Sequence, residues 1–234
     1  MAYLTLSTWI ADAMSEAQRS IDFMLWNTFL ALIPLVLSLW LSRFDKASFE
    51  DDRSFSANRW NPLWLVHRLG WWLGCALFIA FLPNAPYVLT DIIHLVRFIR
   101  QGASLPTILL VLIPQYLIFM LIGIESYVLS IINLGRYLLK HGLRHWILSA
   151  ELMLHMLCSV GIYLGRFPRF NSWDIVTNPQ RLALYITQDL LRLEPVLIIL
   201  VTFVIITTLY WLLKQVTLAI VWYWRSREHR QLWN

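Results

Sequence analysis

The sequence predicts an all-α integral membrane protein, a bundle of about five transmembrane helices, and three observations carry that prediction. Apolar residues make up 59% of the chain and charged residues only 14%, against roughly 45–50% and about 25% in soluble domains. Five apolar stretches, each near the roughly 20 residues that cross a bilayer, alternate with polar or proline-bearing segments. Trp and Tyr are abundant, at 13 and 9, which suits amphipathic rings sitting at headgroup level. Mean hydropathy is +0.59.

The net charge of +5 is not gathered into a basic block or interleaved with an aromatic platform, so nucleic acid is not an expected partner. Lys and Arg stand mostly singly or in pairs beside apolar runs, as topology signals do. Cys75 and Cys158 both fall inside apolar segments, which argues against a disulfide framework. Residues 1–22 carry Asp12, Glu16 and Asp22 against the one base Arg19, the wrong balance for a cleavable signal peptide.

The chain reads as one membrane domain, 1–234. Residues 8–22 form an amphipathic helix with Ile10, Ala13, Met14, Ala17 and Ile21 on one face. Lying in the membrane interface and packing against the bundle would both produce that pattern. The first span is about 23–41, interrupted by Asn27 and Pro34. A charged loop, about 42–62, contains FEDDR and ends Trp60-Asn61-Pro62. The second span, about 63–82, starts near His67 and Arg68, both close enough to an interface to snorkel. Pro83-Asn84-Ala85-Pro86 cannot continue a regular helix, and pre-proline residues favour extended backbone. Residues 91–100 resume helical character but are too short to span, so they form an interfacial or re-entrant helix. The third span, about 106–132, is kinked or relieved at Pro114, and the fourth is about 146–165. The fifth, about 195–222, opens on Pro195, a favourable first-turn residue. A polar tail, 225–234, follows.

Orientation follows from the bias in Lys and Arg. Of the 19, five in 42–68, three in 135–145 and four toward the C-terminal end lie on one side, against seven on the other. The expected arrangement is an external N-terminus and a cytoplasmic C-terminus, in a bacterial cytoplasmic membrane. That topology brings two polar motifs to one external face, PNAPYVLTDIIH (83–94) and GRFPRFNSWDIV (165–176). They share a faint pattern: an aromatic residue (Tyr87, Phe170) four positions before an Asp (Asp91, Asp174), with two branched apolar residues after it. A duplicated two-helix unit is one reading of that likeness and coincidence is the other.

FLPNAPYVLTDIIH (81–94) and IYLGRFPRFNSWD (162–174) resemble the signature segments of a bacterial membrane-protein family known as domain of unknown function 1361, and WNTFLALIPLVLS (26–38) is similar to its opening helix. The resemblance covers roughly residues 26–222. It implies a multi-pass membrane protein and carries no activity, so function rests on the residues.

Asp91 and His94, three apart, share a helix face, which suits an acid/base pair in which the carboxylate orients the imidazole, or two ligands of a metal. The structural alternative has Thr90 or Asp91 capping helix 92–100. A metal would need further ligands, for which only Asp174 is near in the motifs, so neither metal nor cofactor is expected. Asn171 and Asp174 have capping-box-like spacing. Arg166 and Arg169 suit an anionic headgroup or phosphate, or ion pairs with Asp91 and Asp174. Asn84 and Tyr87 sit on irregular backbone, which at a membrane edge is buried in protein or lines a cavity.

A second polar set lies deeper in the spans: Glu125, Glu151, His155 and Lys214. Ionisable groups there are costly and are functional candidates. Glu151 and His155, four apart, suit a proton relay or ligation, while a Glu–Lys pair that fixes helix register is the structural account. HExxH, GxSxG, Walker A and paired CxxC are all missing, which counts against zinc proteases, serine hydrolases and nucleotide-driven mechanisms.

The leading expectation is therefore a polar external pocket built from Asn84, Tyr87, Asp91, His94, Arg166, Arg169, Asn171 and Asp174. It would bind a small anionic group or a lipid headgroup, with membrane lipid as the partner, and would become an envelope- or lipid-modifying enzyme if Asp91–His94 exchanges protons. One alternative is a small-solute or proton-coupled permease using Glu125, Glu151 and His155. The other is a non-catalytic accessory or assembly subunit whose motifs only hold the bundle together.

Overall fold

The computed structural model describes residues 6–52, 62–170 and 173–231. It is 90% helical, with no strand among the described residues. Its elements are α1 (Leu6–Asp52), α2 (Pro62–Phe81), α3 (Asn84–Tyr87), a 3-10 turn (Val88–Asp91), α4 (Ile92–Arg100), α5 (Leu105–Thr107), a π-helical turn (Ile108–Leu112), α6 (Ile113–Lys140), a second 3-10 turn (Arg144–Trp146), α7 (Ile147–Arg166), α8 (Asp174–Thr177), α9 (Pro179–Gln188) and α10 (Leu193–Gln231). Five of the helical stretches among these residues are long and apolar enough to cross a membrane: Trp9–Arg43, Arg68–Arg100, Leu105–Lys140, Arg144–Arg166 and Leu193–Arg227.

Residues 8–22 are not a separate helix. They continue into the first span because nothing from Leu6 to Ile33 is Gly or Pro, so no residue breaks the hydrogen-bond ladder. One edge of the stretch packs on α6: Ala13 and Ser20 are buried, Gln115 Nε2 donates to the Ala17 carbonyl at 3.3 Å, and the Ser20 and Tyr116 hydroxyls lie 3.4 Å apart, while Ile10, Met14 and Ile21 stay exposed. Half of the stretch expected as a charged loop is likewise helical, since α1 runs to Asp52. Residues 53–61 of that loop lie outside the described residues.

The chain does break at Leu82-Pro83, but it then winds back into helix rather than extending. Pro83 itself is α-helical (φ −60°, ψ −24°) and α3 follows at once. Pro86 is tolerated because it stands in the first turn, where its missing N–H would have had no intrahelical partner. In the third span, Ser104 caps α5, its Oγ accepting from the Thr107 amide at 3.4 Å. The π-helical turn precedes Pro114, and the Ile113 amide reaches back to the Ile108 carbonyl. Widening the ladder there is how the helix absorbs a ring that would clash one turn back.

Helix α6 is the hub, packed against α1, α10, α3 and α7, while α2 leans on α1 and α10 on α7. Tyr116, Tyr127, Val128 and Ile131 of α6 are buried, with Leu82, Val88 and Leu112 around them. The outward faces are apolar and exposed, among them Leu73 and Trp72 on α2, Leu117 and Leu121 on α6 and Val201 and Val204 on α10. Such surface belongs in hydrocarbon. Since lipid tails are as apolar as the helices, close packing rather than water exclusion must hold the spans together.

Candidate functional site

Helices α2 and α7 end side by side, and the two motifs meet there through glycine. A Cβ on Gly161 would stand 2.7 Å from Pro83 Cβ, and one on Gly165 would stand 3.2 Å from Tyr87 Cε2. On α6, a Cβ on Gly123 would collide with Val88 Cγ2 and reach within 3.0 Å of the Ala85 carbonyl oxygen. The 83–88 turn is therefore seated on α6 and α7, at Gly123 and Gly161 where a Cβ would force a shift and at Gly165 where it would be tight. This seating fixes where the following 3-10 turn puts Asp91.

Asp91 is 2% exposed. One carboxylate oxygen, Oδ2, accepts from Asn27 Nδ2 at 2.7 Å. The other, Oδ1, faces Arg166 NH1 at 3.7 Å and His94 Nε2 at 3.9 Å, ion-pair distances too long for hydrogen bonds. The side chains of Arg166 and His94 are 24% and 30% exposed, so this cluster opens outward from a buried carboxylate. The His94 ring also packs on Phe23, with centroids 4.7 Å apart. Asp91 is not a helix cap: it precedes α4 with helical backbone and no side-chain cap bond, while Thr90 Oγ1 donates to the Tyr87 carbonyl.

Other candidates make hydrogen bonds or turns within their own segments. Asn84 Nδ2 donates to the Phe81 carbonyl at 3.1 Å, closing the end of α2. Arg169 is exposed and takes a left-handed conformation (φ 59°). That residue turns the chain so that the Phe170 amide reaches the Leu164 carbonyl at 2.9 Å. Asp174 Oδ1 accepts locally from Thr177 Oγ1 and Asn178 Nδ2 at 3.3 and 3.2 Å. Asn171 lies outside the described residues. The sequence likeness between Asp91 and Asp174 therefore pairs a buried, bundle-facing carboxylate with one bound to its own helix. Asn27, expected only as an interruption of the first span, is the side chain that anchors Asp91. A lone amide in an apolar run must find a partner, and that requirement was the available signal.

The deep set forms a different network. Glu151 Oε1 accepts from Lys214 Nζ at 2.5 Å and from the Tyr210 hydroxyl at 2.6 Å, and Glu125 Oε1 accepts from Thr217 at 2.7 Å. His155 does not bond Glu151. Its Nδ1 meets the Tyr127 hydroxyl at 2.5 Å, and its ring packs on Tyr210 with centroids 4.6 Å apart. Between His155 and Arg166 on α7, Cys158, Ser159, Ile162 and Tyr163 are buried. Tyr127 and Tyr210 were not singled out in the sequence, where any Tyr of a membrane protein reads first as an interface ring.

Five apolar spans around a buried polar cluster at one helix end define an α-helical multi-pass membrane protein. More narrowly, residues 26–208 match the model of a family described as "Protein of unknown function (DUF1361)", and the chain belongs to that family. No curated protein and no solved structure matches the chain.

Proposed function

We propose that the cluster of Asp91, His94 and Arg166 binds a small anionic group, a free phosphate or the headgroup of a membrane lipid. The observation that carries this reading is the placement of Arg166. Its guanidinium is held 3.7 Å from a carboxylate already engaged by Asn27. It is partly exposed and has five N–H donors, none of them within hydrogen-bond distance of a partner among the described residues, so they can serve an external anion. Asp91 holds the arginine in place, and His94 adds a second nitrogen on the same side. If the bound group carries a leaving oxygen, His94 is positioned to exchange a proton with it while Asp91 orients the ring, which makes the protein an envelope- or lipid-modifying enzyme. A bacterial cytoplasmic membrane, with this end outward, is the setting we propose.

The test is the thermal stability of the detergent-purified protein with inorganic phosphate and with a short-chain phosphatidic acid. Arg166→Gln and His94→Gln are compared with Arg169→Gln, which changes an exposed arginine outside the cluster. Stabilisation by either ligand should fall in the Arg166 and His94 variants and persist in the Arg169 variant. Equal stabilisation of Arg166→Gln and the unaltered chain overturns the reading. Preference for the lipid over phosphate separates a headgroup site from a phosphate site. The permease reading draws support from the Glu151–Tyr210–His155–Tyr127 chain, and between His155 and Arg166 the buried residues of α7 alternate apolar Cys158 and Ile162 with the hydroxyls of Ser159 and Tyr163.

A further inference from the structure

At the opposite end of the bundle a cleft of about 260 Å3 lies between α1, α2, α6 and α7. Leu41, Cys75, Phe78, Leu134 and Met153 are among its walls, with Trp71 and Tyr137 toward the helix ends. Its Ser and Asn side chains are bonded within the protein: Asn133 Nδ2 donates to Ser38 Oγ at 3.0 Å, Ser38 Oγ to the Leu35 carbonyl at 2.8 Å, and Ser42 Oγ to the Leu39 carbonyl at 2.8 Å. Water has little to bond there; an apolar cavity of only about 150 Å3 already stays dry and takes up hydrocarbon. The walls lie within membrane-spanning stretches, so lipid is the available hydrocarbon.

Two further observations specify the lipid. Trp71 lines the cleft, and its Nε1 is buried without a hydrogen-bond partner among the described residues. A buried indole N–H ordinarily finds an acceptor, and a phospholipid supplies ester carbonyls and phosphate oxygens at that level. Trp71 packs beside Tyr137, with ring centroids 6.2 Å apart. Lys140, exposed, stands one turn beyond Tyr137, and Arg43, also exposed, follows Ser42 of the cleft wall. Cations thus stand just past the mouth of an apolar slot, the order of charge and hydrocarbon that an anionic phospholipid matches.

We propose that this cleft holds an acyl chain of one anionic phospholipid, with its phosphate toward Lys140 and Arg43 and an ester or phosphate oxygen on Trp71 Nε1. The site is independent of the Asp91 cluster and stands if that one fails. It is tested by delipidating the full chain in detergent, adding phosphatidylglycerol or phosphatidylcholine, and reading lipid retention by native mass spectrometry. Phosphatidylglycerol should be retained at about one per chain and preferred over phosphatidylcholine by about fivefold per contacting cation. The Arg43→Gln/Lys140→Gln variant, altered only at exposed positions, should lose that preference. Ala150→Phe, which fills the cleft, should lose both lipids while still purifying as a folded, monodisperse protein with the helical content of the unaltered chain. Equal retention of the two lipids by the unaltered chain overturns the proposal, as does an unchanged preference in the double variant. If Ala150→Phe does not fold, Trp71→Phe replaces it, and undiminished phosphatidylglycerol retention there removes the indole from the site.

Discussion

A carboxylate as buried as Asp91 has given up hydration worth several kcal/mol, and charge and hydrogen bonds must replace it. Arg166 supplies charge from 3.7 Å and the His94 ring stands at 3.9 Å, but the single short bond comes from Asn27. Asn27 therefore matters more to the fold than to any ligand, and Arg166 the reverse. Asn27→Ala should lower stability by about 1–3 kcal/mol, the cost of leaving a buried acceptor unsatisfied. Asp91→Asn, which needs no counter-charge, should cost less. Both are read from thermal unfolding in detergent, and an Asn27→Ala variant as stable as the unaltered chain would show that Asp91 finds its donor elsewhere. Asp91, His94 and Arg166 could be singled out from the sequence because charged residues beside apolar runs are rare. Helix spacing and topology also pointed to their grouping; what was not legible is the donor that holds Asp91, because Asn27 stands 64 positions before it.

At the scale of elements, the 83–91 segment is positioned by what α6 and α7 lack. Gly123, Gly161 and Gly165 present backbone where any side chain would meet Val88, Pro83 or Tyr87. Gly161→Val should overpack that contact by about 1–3 kcal/mol, lift the turn from α7 and carry Asp91 away from Arg166, so phosphate-dependent stabilisation should fall with it. Gly70 of α2 has nothing within 4 Å of its missing Cβ; Gly70→Ala should leave both quantities intact or raise stability, as Ala is the better helix former by about 1 kcal/mol. If Gly161→Val were as mild as Gly70→Ala, the seating would not matter. Proline told where this segment breaks, but glycine sets where it goes, and glycine in an apolar run does not announce its neighbour. The same limit applies to residues 8–22, whose periodicity fits an interface helix and a packed one equally. The structure combines the two, with Ala17 and Ser20 in contact with Gln115 and Tyr116 of α6 and Ile10, Met14 and Ile21 left exposed.

For the whole molecule, hydropathy made the spans legible because each must cross hydrocarbon on its own, a constraint written locally in sequence. Their neighbours were not legible, since every lipid-compatible face resembles every other. Orientation is the remaining global property, and charge gives the prediction for it. Five of the 19 Lys and Arg in 42–68, three in 135–145 and four toward the C-terminal end outnumber the seven on the motif-bearing side. Positive residues resist translocation, so the motif-bearing end should face outward. Val176 on α8 and Leu143 in the α6–α7 turn are exposed at opposite ends, and Cys75 and Cys158 lie within spans. With a charged thiol reagent on intact bacterial cells, Val176→Cys should label directly and Leu143→Cys only after the membrane is opened. The reverse pattern would turn the Asp91 cluster toward the cytoplasm and make any headgroup it binds one of the inner leaflet. It would also place the apolar cleft with Lys140 and Arg43 in the outer leaflet, leaving the lipid chemistry of both sites as argued and exchanging their sides. Labelling of both in intact cells would mean an even number of crossings between them, which the single span of α7 forbids.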